Sequence, residues 1–176
     1  MTEPEVSIYI ALHYIKHALT DEDIHVSLDG AHIKTGNNVW FDIKGFLKEH
    51  GCSKLDSPGE GWQGEYAVEG YTPHTIITSK PGMGDINIQT LDGKTLLIES
   101  KKGNKKHGQE YPLMREAIGQ LMTGGDLMKN IVPIVAVPYS SKSCELANRW
   151  IRLPQIKQAG IKFMLVREEG HILYIE

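Results

Sequence analysis

Residues 85–101 carry the pattern of a β-hairpin with charged side chains at both ends. The first half alternates apolar and polar residues, which is typical of a half-buried strand, and Asp92-Gly93 has the composition of a tight turn. A return strand then begins at Leu96. An aspartate opens this unit, and Glu99 and Lys101 close it, so the register of the hairpin decides whether the charged side chains meet.

Two loop lengths are compatible with the turn at Asp92-Gly93. A two-residue loop sends Asp85 and Glu99 to opposite faces of the sheet. A loop that also includes Leu91, with its glycine in the left-handed conformation, pairs Asp85 with Glu99 instead. Only this longer loop gathers the apolar side chains of both strands on one face, namely Ile86, Ile88, Leu96 and Ile98. We therefore predict the three-residue loop, with Asp85, Glu99 and Lys101 together on the other face.

Such a cluster has the chemistry of phosphodiester hydrolysis. Two carboxylates placed side by side repel each other, and a divalent cation relieves the repulsion. Mg²⁺ takes one or two carboxylates and keeps several waters for a substrate phosphate and a nucleophile. Lys101 lies two residues after Glu99 and therefore on the same strand face. There its ammonium group can orient the attacking water and stabilise the charge that develops on a phosphate.

Asp85, thirteen intervening residues and Glu99-Ser100-Lys101 resemble the core of the PD-(D/E)xK, or restriction-endonuclease-like, nuclease superfamily, with Gly84 in place of the usual proline. The resemblance implies that Asp85 and Glu99 bind metal and that Lys101 is catalytic. It also implies a catalytic role for Gln120, on the helix after the (D/E)xK strand, and an acidic residue near the site on the first helix, for which Glu5 is a candidate. The implied cofactor is Mg²⁺, with Mn²⁺ as a substitute. By analogy with nucleases that cut both strands, a homodimer is also suggested.

The triplet by itself has another interpretation. Asp42–Lys44 and Asp92–Lys94 fit the same pattern, although neither ends an apolar strand. From the triplet alone, the favoured interpretation of Glu99 and Lys101 is a surface ion pair, worth at most ~1 kcal/mol. Gln120 could be a solvated helix position. The order of the elements around the triplet favours the nuclease interpretation.

The periodicity of the chain predicts an αβββαβ order. It indicates a helix over residues 6–19, strands over 64–71 and 75–79, and the hairpin over 85–101. A helix over 110–123, a buried strand over 131–137, a helix over 143–152 and a final hairpin over 161–175 follow. This is the order of the restriction-endonuclease-like core. The fold class is therefore α/β, with a mixed central sheet flanked by helices, in a single domain over residues 1–176 that ends in a C-terminal β-hairpin.

Residues 21–61 are expected to form an N-terminal insertion on this core. A short helix over residues 43–50 is predicted within it, capped by Asp42. Trp40, Phe41 and Trp62 are interpreted as packing residues rather than as platforms for nucleic-acid bases.

Composition and charge limit the class of protein. The chain has no apolar run long enough for a membrane span and no signal-peptide pattern, which predicts a cytoplasmic protein without a membrane partner. Cys52 and Cys144 lack metal-ligand spacing and are expected to be free thiols. The net charge of −3 is uneven, because residues 1–70 carry −7 and residues 71–176 carry +4. The basic part contains the hairpin, which is compatible with nucleic-acid binding.

Further basic residues lie next to the triplet. Lys102, Lys105 and Lys106 follow in a glycine-bounded segment, and Arg115 lies on the following predicted helix. Such a run is either a solvated loop or a set of sequence-blind phosphate contacts. We select these four residues as candidates for nucleic-acid binding.

The sequence thus predicts a magnesium-dependent endonuclease or exonuclease whose expected substrate is DNA. Two other interpretations stay open at this point. One is a catalytically inactive nucleic-acid-binding or assembly module on the same fold. The other is a small α/β interaction domain without a nucleic-acid role. The complete set of Asp85, Glu99 and Lys101 favours the nuclease.

Overall fold

Nine strands form one mixed sheet in the computed structural model, which describes residues 1–55, 61–80, 84–103, 109–124 and 130–176. The strands of the described residues are β1 (Ile24–Ser27), β2 (Lys34–Thr35), β3 (Asn38–Val39), β4 (Cys52–Lys54), β5 (Gly64–Val68), β6 (His74–Thr78), β7 (Ile86–Gln89), β8 (Thr95–Ser100), β9 (Ile131–Pro138), β10 (Lys162–Val166) and β11 (Ile172–Ile175). The order across the sheet is β11-β10-β9-β8-β7-β1-β6-β5-β4, while β2 and β3 form a separate hairpin.

The helices of the described residues are α1 (Glu3–Lys16), α2 (Gly30–Ile33), α3 (Ile43–Glu49), α4 (Glu110–Thr123), α5 (Ser141–Trp150) and α6 (Pro154–Ala159). Helix α4 has the predicted bounds, and α5 and the hairpin of β10 and β11 lie within about two residues of theirs. No helix in the described part of the chain is long and apolar enough to cross a membrane. Cys52 and Cys144 are free thiols, as expected.

The hairpin of β7 and β8 has the predicted register. Ile86 lies opposite Ile98, and Ile88 lies opposite Leu96. The amide of Thr90 donates to the carbonyl of Lys94 at 2.9 Å, which closes the three-residue loop. Within that loop Gly93 has a φ of +77°, the left-handed conformation that the loop requires.

The sheet has an apolar core on each face. Helix α1 packs on one face, against a cluster that includes Ile86, Ile88, Leu96 and Ile98. Helices α4 and α5 supply the other cluster, which takes Leu97 from the same strand. Because successive side chains of a strand point to opposite faces, Glu99 and Lys101 follow Leu97 onto the side of α4. The α/β class with a mixed sheet flanked by helices is confirmed.

The segment 21–61 is not only an insertion. Strand β1 lies in the interior of the sheet, parallel to β6 and antiparallel to β7, and β4 forms one edge. Only the β2–β3 hairpin stands outside the main sheet. Helix α3 is present as predicted, with the Asp42 carboxylate accepting from the amide of Gly45 at 3.0 Å.

Candidate active site

Asp85 is held between two strands by its backbone. Its amide donates to the carbonyl of Ile98 at 2.9 Å, and its carbonyl accepts from the amide of Ser27 at 2.7 Å. The preceding Gly84 has a φ of +73°, and a Cβ there would lie 2.9 Å from Leu97 Cδ1 and 3.1 Å from the Ile98 carbonyl oxygen. A glycine is therefore needed where the chain crosses close to β8 and enters the site.

The carboxyl groups of Asp85 and Glu99 meet on the α4 side of the sheet. Asp85 Oδ2 accepts from the backbone amide of Ser100 at 2.8 Å, and a side-chain hydrogen bond joins Asp85 to Glu99. Glu99 is only 9% exposed and is the penultimate residue of β8. The predicted juxtaposition of these two carboxyl groups is confirmed.

Burial raises the pKa of both carboxyl groups, and their mutual repulsion raises that of Glu99 further. Burial, and then the charge of Asp85, raise the pKa of Glu99 to about 7, and the charge of Lys101 only partly opposes this. Burial also raises the pKa of Asp85, against the Ser100 amide and Lys101. Below about pH 7 the Glu99 carboxyl group is therefore protonated and donates its hydrogen bond to Asp85. A divalent cation would replace that proton, and an all-oxygen donor set suits Mg²⁺.

Lys101 points into the same acidic site. Its side chain is buried, with the residue 5% exposed, and its amide donates to the carbonyl of Ala136 on β9 at 2.9 Å. Its Nζ lies 3.4 Å from Oε1 of Glu116, an exposed residue of α4. A buried ammonium group that is paired with Glu116 is better placed to act on a bound anion than a solvated lysine is.

Glu3, at the start of α1, is a member of the site that sequence reasoning missed. Burial raises its pKa, the charge of Lys101 lowers it, and the charge of Asp85 raises it again. His32 Nδ1 on α2 lies 3.5 Å from Glu3 Oε1. The N-terminal helix therefore brings a third carboxyl group and an imidazole to the edge of the Asp85 cluster.

The expectation for Glu5 is wrong. Its carboxylate accepts from the amide of Thr2, whose own hydroxyl accepts from the Glu5 amide at 3.4 Å. This reciprocal pair is a capping box, so Glu5 closes the first turn of α1 rather than reaching the site. The Thr2-x-x-Glu5 spacing was the sequence signal that could have directed attention to Glu3.

An open cleft of about 290 Å³ lies over Asp85 and Glu99. This volume has room for several waters and a phosphate group, since a water occupies about 30 Å³. Gln120 lines the cleft, so α4 brings it to the location that the resemblance implies. Lys80 and Asp29, which sequence reasoning did not select, line it as well. A catalytic role for Gln120 stays a prediction.

The four basic residues selected as candidates for nucleic-acid binding lie in different surroundings. Lys102 is exposed and lines a second cleft next to Glu3. Arg115 is exposed on α4, with its guanidinium 5.5 Å from the centre of the Tyr111 ring. Lys105 and Lys106 lie outside the described residues. Binding of nucleic acid by all four stays a prediction.

A second group of metal-ligating side chains lies at the opposite end of β1. Ligand atoms of Asp23, Glu65 and His74 lie within 4.8 Å of one another. His74 Nδ1 is 2.6 Å from Glu65 Oε1, and the His74 amide donates to Asp23 Oδ1 at 2.8 Å. These internal hydrogen bonds already give the three partly exposed side chains partners, so the group does not change the assignment of the candidate metal ligands.

Comparison with known proteins identifies no relative of this chain. No family model, no curated protein and no solved structure matches it. The interpretation of the site therefore depends on its own residues: the half-buried Asp85 beside the buried Glu99, a buried lysine next to them, and an open cleft above them. Such an arrangement can hold a divalent cation and a phosphodiester.

Proposed function

We propose that this protein is a magnesium-dependent nuclease that hydrolyses phosphodiester bonds, with DNA as its substrate. The observation that carries the proposal is the pair of half-buried Asp85 and buried Glu99, with the buried Lys101 on the same face, below an open cleft. We assign the sheet and its flanking helices to a restriction-endonuclease-like core. The resemblance of the hairpin and the order of the elements around it support that assignment.

Asp85 and Glu99 would hold the cation, because they are the two acceptor groups that meet at the base of the cleft. When bound, Mg²⁺ would polarise the phosphate and lower the pKa of a coordinated water. In the hydrolysis, water adds to phosphorus and the bond from phosphorus to the leaving oxygen breaks. One proton of the water passes to solvent, and the leaving oxygen takes a proton from solvent.

The side chains around the pair have separate parts in this reaction. Lys101 stabilises the negative charge that develops on the phosphate oxygens. Glu116, 3.4 Å from the Lys101 ammonium, fixes its direction. Gln120, in the wall of the cleft, can donate a hydrogen bond to the phosphate or accept one from the attacking water.

The proposal is tested by incubating the protein with plasmid and with single-stranded DNA, with Mg²⁺, with Mn²⁺ and with a chelator. We expect cleavage only with metal. Asp85→Asn, Glu99→Gln and Lys101→Met should each reduce the rate a hundredfold or more, since removal of one electrostatic stabiliser costs about 3–4 kcal/mol. Thermal melts of each variant establish that it is folded.

A matched control exists on the same hairpin. Asp92 belongs to the second (D/E)xK triplet of this unit, but it is exposed at the turn and paired with Lys94. Asp92→Asn should cleave at the wild-type rate. Cleavage that persists in chelator, or in Glu99→Gln, would contradict the mechanism. Tight binding of DNA without any cleavage would support the inactive binding module instead.

A further inference from the structure

Trp40 is 62% exposed, so its interpretation as a packing residue is wrong. Its backbone is fixed by hydrogen bonds. The amides of Trp40 and Phe41 both donate to the carbonyl of Ile33, at 2.9 and 3.3 Å. Ile33 and Phe41 are buried in the core on the α1 face. The backbone is therefore fixed to a buried part of the chain while the large aromatic ring stays open to solvent.

The ring of Trp40 forms part of a cleft of about 280 Å³. Pro4 and Ala31 give this cleft apolar walls, and His32 and Lys102 give it polar and positively charged edges. The combination of an aromatic face, apolar walls and a neighbouring cation is typical of sites that stack a base and contact the phosphate beside it. A peptide partner would not require the lysine at the edge.

This cleft lies next to the candidate active site, since Ala31 lines it and Asp29, two residues earlier, lines the cleft over Asp85 and Glu99. Glu3 lines it, and the charges of Asp85 and Lys101 act directly on the Glu3 carboxyl group. Lys102, on its edge, directly follows Lys101 in the chain. A nucleic-acid strand that places one phosphate beside Lys101 therefore has a neighbouring nucleotide within reach of Lys102, which lines the same cleft as Trp40.

We propose that Trp40 stacks on an unpaired nucleobase next to the scissile phosphate, and that Lys102 contacts a phosphate of the same strand. A base inside a duplex has both faces covered by its neighbours, so it cannot stack on this ring without being unstacked first. The substrate class that fits is single-stranded nucleic acid, or a duplex with an unpaired base at the cut. This inference rests on the proposed nuclease function.

The test measures equilibrium binding of a labelled single-stranded oligonucleotide and of the matched duplex, in a Glu99→Gln background so that nothing is cut. Trp40→Ala should weaken single-strand binding roughly 5- to 100-fold, the range for loss of one base–aromatic stack, and leave duplex binding unchanged. Trp40→Phe should restore most of the affinity. Val39→Ala is the matched control, since Val39 is also 62% exposed on the same hairpin but does not line the cleft.

Salt dependence separates the two contacts. Lys102→Met should reduce the slope of log K against log salt by about 0.7 for a single strand, whereas Trp40→Ala should leave that slope unchanged. Wild-type single-strand affinity in Trp40→Ala would overturn the stacking site. Equal losses on single strand and duplex would overturn it as well.

Cleavage assays on the same oligonucleotides distinguish this inference from the proposed function. Metal-dependent cleavage with no effect of Trp40→Ala on binding would leave the nuclease standing and refute the stacking site. Trp40-dependent binding of single strands without cleavage would support the stacking site and refute the nuclease. Failure to bind or cut any oligonucleotide would refute both.

Discussion

At Glu3 and Glu5, two carboxylates in the same first turn of α1 have different tasks. Both lie near the positive end of the helix, and removal of either charge has the same small effect on the helix dipole. Glu5 completes the capping box, and Glu3 faces Lys101 and Asp85. Their comparison therefore separates a contribution to the site from a contribution to helix stability.

We expect Glu3→Gln to weaken Mg²⁺ binding and lower the cleavage rate roughly tenfold, the smaller end of the range for a residue that supports metal ligands. Glu5→Gln should leave both unchanged, because glutamine also completes a capping box. Calorimetric titration with Mg²⁺ and single-turnover cleavage measure the two effects. Equal behaviour of the two variants would mean that Glu3 acts only as a helix-terminal charge.

The selection of Glu5 instead of Glu3 was a prediction made one residue at a time, without regard to the helix cap. The glutamate that forms the capping box cannot also face the site, and the Thr2-x-x-Glu5 spacing identifies that glutamate as Glu5. The exposure of Trp40 was not accessible in this way. Val39-Trp40-Phe41 is a continuous apolar run, and only the anchoring of Phe41 and Ile33 in the core determines which side chain is left outside.

At the scale of elements, the β7–β8 hairpin was predictable because all of its determinants are local. Period-2 apolar residues, a turn and a glycine within residues 85–101 select one register. Strand β1 was not predictable, since it has only four residues, half of them polar. Its partners β6 and β7 lie about 50 and about 60 residues further along the chain, and no local pattern specifies that pairing.

The same hairpin contains two left-handed glycines that differ in their surroundings. Gly93, in the loop, has no atom within 4 Å of an added Cβ, whereas Gly84 would place that atom against Leu97 and the Ile98 carbonyl. Gly93→Ala should cost about 1–2 kcal/mol from backbone conformation alone. Gly84→Ala should cost more, because the clash adds to the same backbone term.

Denaturant unfolding of the two variants measures this difference. Gly84→Ala should also lose cleavage activity under conditions where the protein is folded, since any relief of the clash moves Asp85 away from β8. Gly93→Ala should keep its activity. Equal stability losses, or full activity of Gly84→Ala, would mean that the chain adjusts around β8 without displacing the site.

For the molecule as a whole, the site lowers stability in the absence of metal. Glu99, Asp85 and Glu3 all have a raised pKa in the fold, and Lys101 is the cation that faces them. Between the ordinary carboxyl pKa of about 4.5 and about 7, the folded protein binds more protons than the unfolded chain. The contribution of these groups to stability therefore falls as pH rises through that window, and the loss is complete about one pH unit above 7.

We expect chelated wild-type protein to unfold at a lower temperature at pH 8 than at pH 5.5. Mg²⁺ should reverse this, because a ligand that binds only the folded state stabilises it by about 2.7 kcal/mol at a hundred times its Kd. The stabilisation by Mg²⁺ should be larger at pH 8, where no proton competes for Glu99. Glu99→Gln should melt higher than wild type in chelator at pH 8, with no gain from Mg²⁺, and the two proteins should converge near pH 4.5.

Asp92→Asn provides the control for this prediction, because the hydrogen bonds from Lys94 and Thr90 lower the pKa of exposed Asp92, the opposite direction to Glu99. Its melting profile should keep the wild-type dependence on pH and Mg²⁺ above pH 5. If the stability of the wild-type protein in chelator rose from pH 5 to pH 8, the pKa values of Glu99 and Asp85 would not be raised in the fold, and the two carboxylates would not repel each other. The pair would then have no electrostatic reason to take up a cation, and the metal site would lose its physical basis.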